Sequence, residues 1–174
     1  MKILLVDGNS ILNRGFYGLP LLTDKNGVYT NAVLGFYNIL FKVMDDEKPD
    51  FLTVAFDVHA PTFRHKMYKE YKGTRKPMPE ELKMQLPIIR EVLSSMNIKV
   101  VEMEGYEADD LLGTLAKKSE ASECDVTLLS GDRDLLQIAS GKIKIMIPKT
   151  FGGKTETSMN SKGVTLYSLI TSSS

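Results

Sequence analysis

The sequence predicts an α/β protein: a mainly parallel central sheet with helices on both faces. Two observations lead there. Short, β-prone apolar runs recur along the chain, and most close on an acidic or turn residue. Between them lie stretches whose apolar residues recur at helical spacing. Strands that alternate with helices favour parallel pairing, because each crossover helix returns the next strand in the same direction.

The first run, Ile3 to Val6, ends at Asp7-Gly8-Asn9, a sequence suited to a turn or a helix cap. Residues 31–44 place Val33, Leu34, Phe36, Tyr37, Leu40, Phe41 and Met44 at helical intervals. Residues 51–56 form the second run and end at Asp57. Residues 59–79 break the alternation. They are basic and aromatic, bracketed by Pro61, Pro77 and Pro79, and read as a loop or lid over one end of the sheet. Helical spacing resumes over 80–96, where Pro87 predicts a kink or split. Ile98 to Val101 is the third strand, 107–119 a helix, and Asp125 to Leu129 the fourth strand, closing on Ser130-Gly131-Asp132. Ile143 to Ile147 makes a fifth, ending at Pro148. One domain over 1–155 is expected, followed by a Ser/Thr-rich tail, poorly ordered, over 156–174.

Composition narrows the function. The 174 residues are 43% apolar and 25% charged, which excludes a disordered chain. No apolar run approaches the ~18 residues of a membrane span. A single cysteine, Cys124, excludes a disulfide framework and a thiolate zinc cluster, and it reads as a small buried hydrophobe. A cytoplasmic setting with no membrane partner is expected. His59 and His65 have no cysteine nearby to complete a zinc site. Gly152-Gly153-Lys154-Thr155 resembles the end of a phosphate-binding loop, but Pro148 occupies the position of its first glycine. The 22 basic and 22 acidic residues cancel, yet they are segregated. Residues 64–76 hold six Lys/Arg against one acid, whereas 77–140 hold thirteen acids against six bases. A polyanion grip beside a cation site is the expected meaning.

The acids fall where such a site would form. Asp7 follows the first strand and Asp57 the second. Glu107, Asp109 and Asp110 open the helix after the third, and Asp132 and Asp134 follow the fourth. Strands of an open parallel sheet present their C-terminal ends on one edge, where ligands bind. Seven carboxylates on that edge must raise their pKa values or bind cations. Oxygen ligands suit Mg²⁺ or Mn²⁺ rather than zinc, and two such ions would serve phosphodiester hydrolysis. Each group also has a purely structural explanation, as a turn, a helix cap or a charge favoured by a helix N-terminus. In the basic block, Arg64, Lys66, Lys69, Lys72, Arg75 and Lys76 alternate with Phe63, Tyr68 and Tyr71. Cations for phosphates and rings for bases suit nucleic acid.

Leu5-Val6-Asp7-Gly8-Asn9-Ser10, Ala55-Phe56-Asp57, Phe63-Arg64, Tyr71-Lys72-Gly73-Thr74-Arg75, Tyr106-Glu107-Ala108-Asp109-Asp110 and Ser130-Gly131-Asp132-Arg133-Asp134 occur in an order that resembles the 5′-nuclease domain found at the N-terminus of bacterial DNA polymerase I. The resemblance spans roughly residues 1–155. It implies a PIN-like fold with a basic arch over about 59–79, and two divalent ions, Mg²⁺ or Mn²⁺. Asp7, Asp57, Glu107 and Asp109 would surround the first ion, with Asp110 close by, and Asp132 and Asp134 would lie toward the second. Lys72 and Arg75 would act at the scissile phosphate and Tyr71 would stack on a base, while Arg64, Lys66, Lys69 and Lys76 would add to the DNA grip. The implied reaction is hydrolysis of DNA at 5′ ends or 5′ flaps, within a longer parent chain carrying a polymerase domain.

The pattern departs from the family after residue 155. A further Asp-x-x-Asp pair and a helix-hairpin-helix element are expected there, and residues 156–174 hold only Glu156 as an acid. The second metal site is therefore expected to be incomplete. A catalytically silent DNA-binding fragment and a PIN-like nuclease acting on RNA stand as alternatives. A topoisomerase-primase fold would use Glu107, Asp132 and Asp134, but leaves Asp7 and Asp57 unexplained. A haloacid-dehalogenase phosphatase would need an acid at Asn9.

Overall fold

The computed structural model describes residues 1–58, 60, 62–68, 70, 77–149, 158–159 and 164–168. Among these, seven strands form one sheet: β1 (Lys2–Asp7), β2 (Phe51–Ala55), β3 (Lys99–Val101), β4 (Asp125–Leu129), β5 (Ile143–Lys149), β6 (Ser158–Met159) and β7 (Val164–Ser168). Their order is β3-β2-β1-β4-β5-β7-β6. Every neighbouring pair is parallel except β6 with β7. The sequence reading stops at five strands. The pairing of β7 with β5 brings part of the expected tail into the sheet, with Val164 opposite Ile145 and Leu166 opposite Ile147.

The helices are α1 (Gly8–Gly18), α2 (Asn31–Glu47), α3 (Phe63–Met67), α4 (Glu80–Lys83), α5 (Leu86–Ser95) and α6 (Ala108–Ala121), with a 3₁₀ turn at Asp134–Ile138. Alternation along β1 sends its side chains to opposite faces. Leu4 and Val6 pack with α1, α2, α4 and α5 through Ile11, Phe36, Leu40, Leu82 and Ile89. Leu5 faces the other way, onto Ala108, Leu112 and Ala116 of α6 and Leu135 of the 3₁₀ turn. Helices therefore cover both faces, as expected.

Two elements depart from the sequence reading, α1 and α3, while the split over 80–96 follows it. The segment after Asp7 is not only a turn; it opens α1 at once. Its glycines lower helix propensity and obscure the period, but packing requires one of them. A Cβ on Gly15 would lie 2.8 Å from the Phe36 amide nitrogen, and one on Gly35 would lie 2.5 Å from the Gly15 Cα. The backbones of α1 and α2 thus touch. Within 59–79, the short helix α3 replaces a plain loop. Over 80–96 the chain splits into α4 and α5, with Pro87 in the first turn of α5, where its missing N–H costs nothing. The side chain that begins α2 comes from this region. Gln85, fully buried, accepts from the Ala32 and Val33 amides at 2.7 and 3.1 Å.

Candidate active site

The crevice arises from the strand order. From β1 the chain moves outward to β2 and β3, then returns across the opposite face through α6 to β4, on the far side of β1. The C-terminal ends of β1 and β4 flank this switch in direction, where a cleft opens in such sheets. An open cleft of about 1390 Å³ lies there. Asp7, Asp57, Glu107, Asp109, Asp110, Asp132 and Asp134 all line it. One edge collects all seven carboxylates, as the sequence led us to expect.

Asp7 is buried and held at both oxygens. Oδ1 accepts the Ser10 amide at 2.9 Å, making Asp7 the N-cap of α1. Oδ2 accepts from Ser130 Oγ at 2.7 Å. Burial pushes its pKa up; the Ser130 and Ser10 bonds oppose that shift, and Asp57 and Asp132 reinforce it. The Ser130 hydroxyl also accepts the Asp132 amide at 3.0 Å, and Ser10 Oγ accepts the Gly131 amide at 2.7 Å. A Cβ on Gly131 would lie 2.7 Å from Ser10 Oγ, so a larger residue there would displace the hydroxyl that accepts its amide. Asp132 Oδ1 in turn accepts the Asp134 amide at 2.8 Å, and Asp134 sits exposed on the rim.

The start of α6 is built from acids. Glu107 and Asp110 form a reciprocal capping box, in which Asp110 Oδ2 accepts the Glu107 amide at 3.0 Å. Asp57 Oδ1 accepts the Ala108 amide at 2.7 Å. So the structural explanation of these acids is true of Asp57, Glu107 and Asp110, and it does not remove them from the cleft. Asp109 also sits in the first turn of α6, where a helix N-terminus favours negative charge, but its side chain caps nothing. Among the described residues the Asp109 carboxylate makes no hydrogen bond and no ion pair. Its pKa is pushed up to about 7, first by burial and then by Asp7, Asp132, Asp57 and Glu107.

The basic residues divide. Arg64 turns toward the acids: Nη1 and Nη2 bond Asp110 Oδ2 and Oδ1 at 2.7 and 2.8 Å. Lys66 is exposed on α3. Lys69, Tyr71, Lys72, Arg75 and Lys76 lie outside the described residues. The sequence reading missed Lys117 and Lys118, which also line the cleft. They follow Asp109 and Asp110 by eight residues, two turns along one helix face, and that spacing was the available signal.

Among the described residues, no three or more His, Cys, Asp or Glu side chains stand together closely enough to hold a metal ion. The donor set nevertheless fits a hard divalent cation. Among the described residues the metal-ligating side chains that line the cleft are oxygen donors, Cys124 being buried elsewhere. The repulsion that raises Asp109 is the kind a cation relieves. An open, loosely gathered set suits an ion such as Mg²⁺ that keeps several of its waters.

The model of the family described as 5′-3′ exonuclease, N-terminal resolvase-like domain matches residues 2–166. The chain belongs to this family. The DNA polymerase I of Bacillus subtilis (strain 168) is 51% identical over 148 residues, covering 85% of this chain and 17% of that protein. The 5′-3′ exonuclease of Aquifex aeolicus (strain VF5) is 41% identical over 149 residues, 85% of this chain and 52% of that protein. The chain therefore spans less than a fifth of such polymerases and about half of that exonuclease. The bacteriophage T5 flap endonuclease, solved as a pseudo-enzyme-product complex with DNA and metal ions, superposes with a TM-score of 0.68 at 18% identity. The match covers 84% of this chain and 55% of that one, and gives the family's chain here the PIN-like fold implied by its sequence. Among the described residues no helix is long and apolar enough to cross a membrane.

Proposed function

We propose that this domain is a divalent-metal-dependent 5′-nuclease that hydrolyses DNA phosphodiesters at 5′ ends or 5′ flaps. The observation that carries the reading is the gathering of seven carboxylates in one cleft, with Asp109 unbonded at its centre of repulsion. Family membership supports the reaction class, and the metal ions and DNA in the T5 structure support the cofactor and substrate classes. Mg²⁺ or Mn²⁺ is the proposed cofactor. When bound, such an ion supplies positive charge that favours hydroxide as nucleophile and steadies the leaving oxygen.

The chain's own residues set up that chemistry. Asp7, locked by Ser10 and Ser130, presents a fixed carboxylate at the end of the central strand. Asp57, held by the Ala108 amide, ties the end of β2 to the start of α6 and lines the cleft. Asp109 is the proposed principal ligand, since a cation there lowers its pKa back toward the ordinary range. Asp132 and Asp134 are proposed for a second ion. Lys72 and Arg75 are proposed for phosphates at the scissile bond and Tyr71 for a base. The polymerase relatives support a parent chain in which this domain removes 5′ ends beside a polymerase.

The test is cleavage of a 5′-labelled flap duplex in EDTA, Mg²⁺ and Mn²⁺, with D109A alongside. Metal-dependent products that vanish in D109A are expected. Equal cleavage by wild type and D109A would overturn the proposal.

A further inference from the structure

The root of the basic segment is stitched to the start of α6 at three points. The Phe63 amide donates to the Gly105 carbonyl at 3.0 Å. The Phe63 and Tyr106 rings meet with centroids 5.9 Å apart. Arg64 forks Asp110, and its Nη1 lies 3.8 Å from Glu107 Oε2. The guanidinium also sits 4.5 Å from the Phe63 ring centroid, so one face stacks while the edge bonds. Gly105 makes the turn possible, with a φ of 87° that favours glycine.

This geometry gives Arg64 a task different from its basic neighbours. A planar fork matches a carboxylate at two points, and Asp110 is always present in the same chain. A phosphate could take the fork only by breaking it, leaving the half-buried Asp110 charge without that counterion. Asp110 Oδ2 also receives the Glu107 amide. The fork therefore acts on the capping box that orients Glu107 and sets where α6 begins, one residue before Asp109 in the first turn.

We propose, resting on the nuclease reading above, that Arg64 is a positioning residue. It locks Asp110 to the root of the basic segment and so fixes Glu107 and Asp109 in the cleft, instead of gripping substrate phosphate. Asp110 is then the partner of Arg64, and Asp109 the group left to a cation.

The test is a double-mutant cycle in the full chain: R64A, D110A and R64A/D110A, with R64K beside them. Thermal melts establish that each variant folds. Three quantities are read: Mn²⁺ affinity by electron paramagnetic resonance without DNA, the salt dependence of flap-DNA binding in EDTA, and kcat with KM in Mg²⁺. R64A and D110A are each expected to weaken Mn²⁺ binding and lower kcat by about 10–100-fold. D110A removes the Glu107 amide bond as well as the fork, so the double variant should be no worse than D110A alone. R64K should stay impaired, because an ammonium cannot form the fork. The salt slope of DNA binding should not change. Unchanged Mn²⁺ affinity in R64A, together with a slope shallower by about 1, is the mark of a phosphate contact and would overturn the proposal. Additive losses in the double variant would overturn it too. Should R64A fail to fold, R64K and D110N carry the same cycle. If wild type neither binds nor cleaves flap DNA, the nuclease reading fails, and the Mn²⁺ cycle alone still decides the role of Arg64.

Discussion

Ser130 Oγ donates to Asp7 Oδ2 at 2.7 Å although 123 residues separate them. Both side chains are buried, and the same hydroxyl accepts the Asp132 amide. Ser130→Ala therefore strips a buried carboxylate and a loop amide of a partner at once. We expect a loss of about 1–3 kcal/mol of stability, read by urea denaturation. A loss within error would mean that this link does not hold Asp7.

Asp109 predicts a pH dependence with a definite sign. Its folded pKa, about 7, lies above the ordinary carboxylate value of 3.8. Between those values the folded state holds the proton more tightly than the unfolded state. Stability from this group is thus full below the unfolded pKa and is lost as pH rises toward and through about 7. In EDTA, D109N should remove this dependence and melt above wild type at pH 8. Allowing for solvent screening, ~1 kcal/mol, or roughly 2–4 °C, is expected. A variant that melts lower at pH 8 and keeps the wild-type pH profile would contradict this.

Metal should stabilise the same site. With Mn²⁺ at one hundred times its dissociation constant, about 2.7 kcal/mol of added stability is expected from linkage. Thermal melts with and without Mn²⁺ measure it, and the increment should shrink in D109A. An equal increment in both proteins would place the ion elsewhere.

Gln85 predicts a defect far from the cleft. Its Oε1 receives two amides at the start of α2, and its Nε2 donates to Asn31 Oδ1 at 3.1 Å and to the Glu81 carbonyl at 2.9 Å. Gln85→Leu keeps much of the volume and orphans these groups. A loss of about 2 kcal/mol is expected in chemical denaturation, with flap cleavage per folded molecule unchanged.

Legibility in the sequence followed the range of the interactions. The runs at Ile3–Val6, 51–56 and 125–129 announced β1, β2 and β4, because their C-terminal halves are buried and mostly apolar. Pro87 announced the split between α4 and α5 for a reason confined to one residue. The edge that collects the acids was legible because parallel order fixes which strand ends coincide. By contrast, α1 was hidden because its glycines lower helix propensity, and one of them, Gly15, serves the contact with α2. The capping of α2 by Gln85 spans more than fifty residues and has no local signature. Arg64 read as one more phosphate-seeking cation, since nothing within its block discloses that Asp110, 46 residues later, holds it. β7 was missed because its pairing partner, not its own pattern, places it in the sheet.

The link between Asp7 and Ser130 bears on how the domain comes into being. A chain emerging from the ribosome releases Asp7 first and β4 more than a hundred residues later. Until β4 settles beside β1, Asp7 has no Ser130, and the loop that carries Asp132 and Asp134 has no place. The cleft cannot be assembled piecemeal by a local segment; it appears only with closure of a long-range, slowly formed sheet. A stalled or partly made polypeptide holds the acids in sequence but not in space, so the carboxylate cluster comes into existence only in a completed domain.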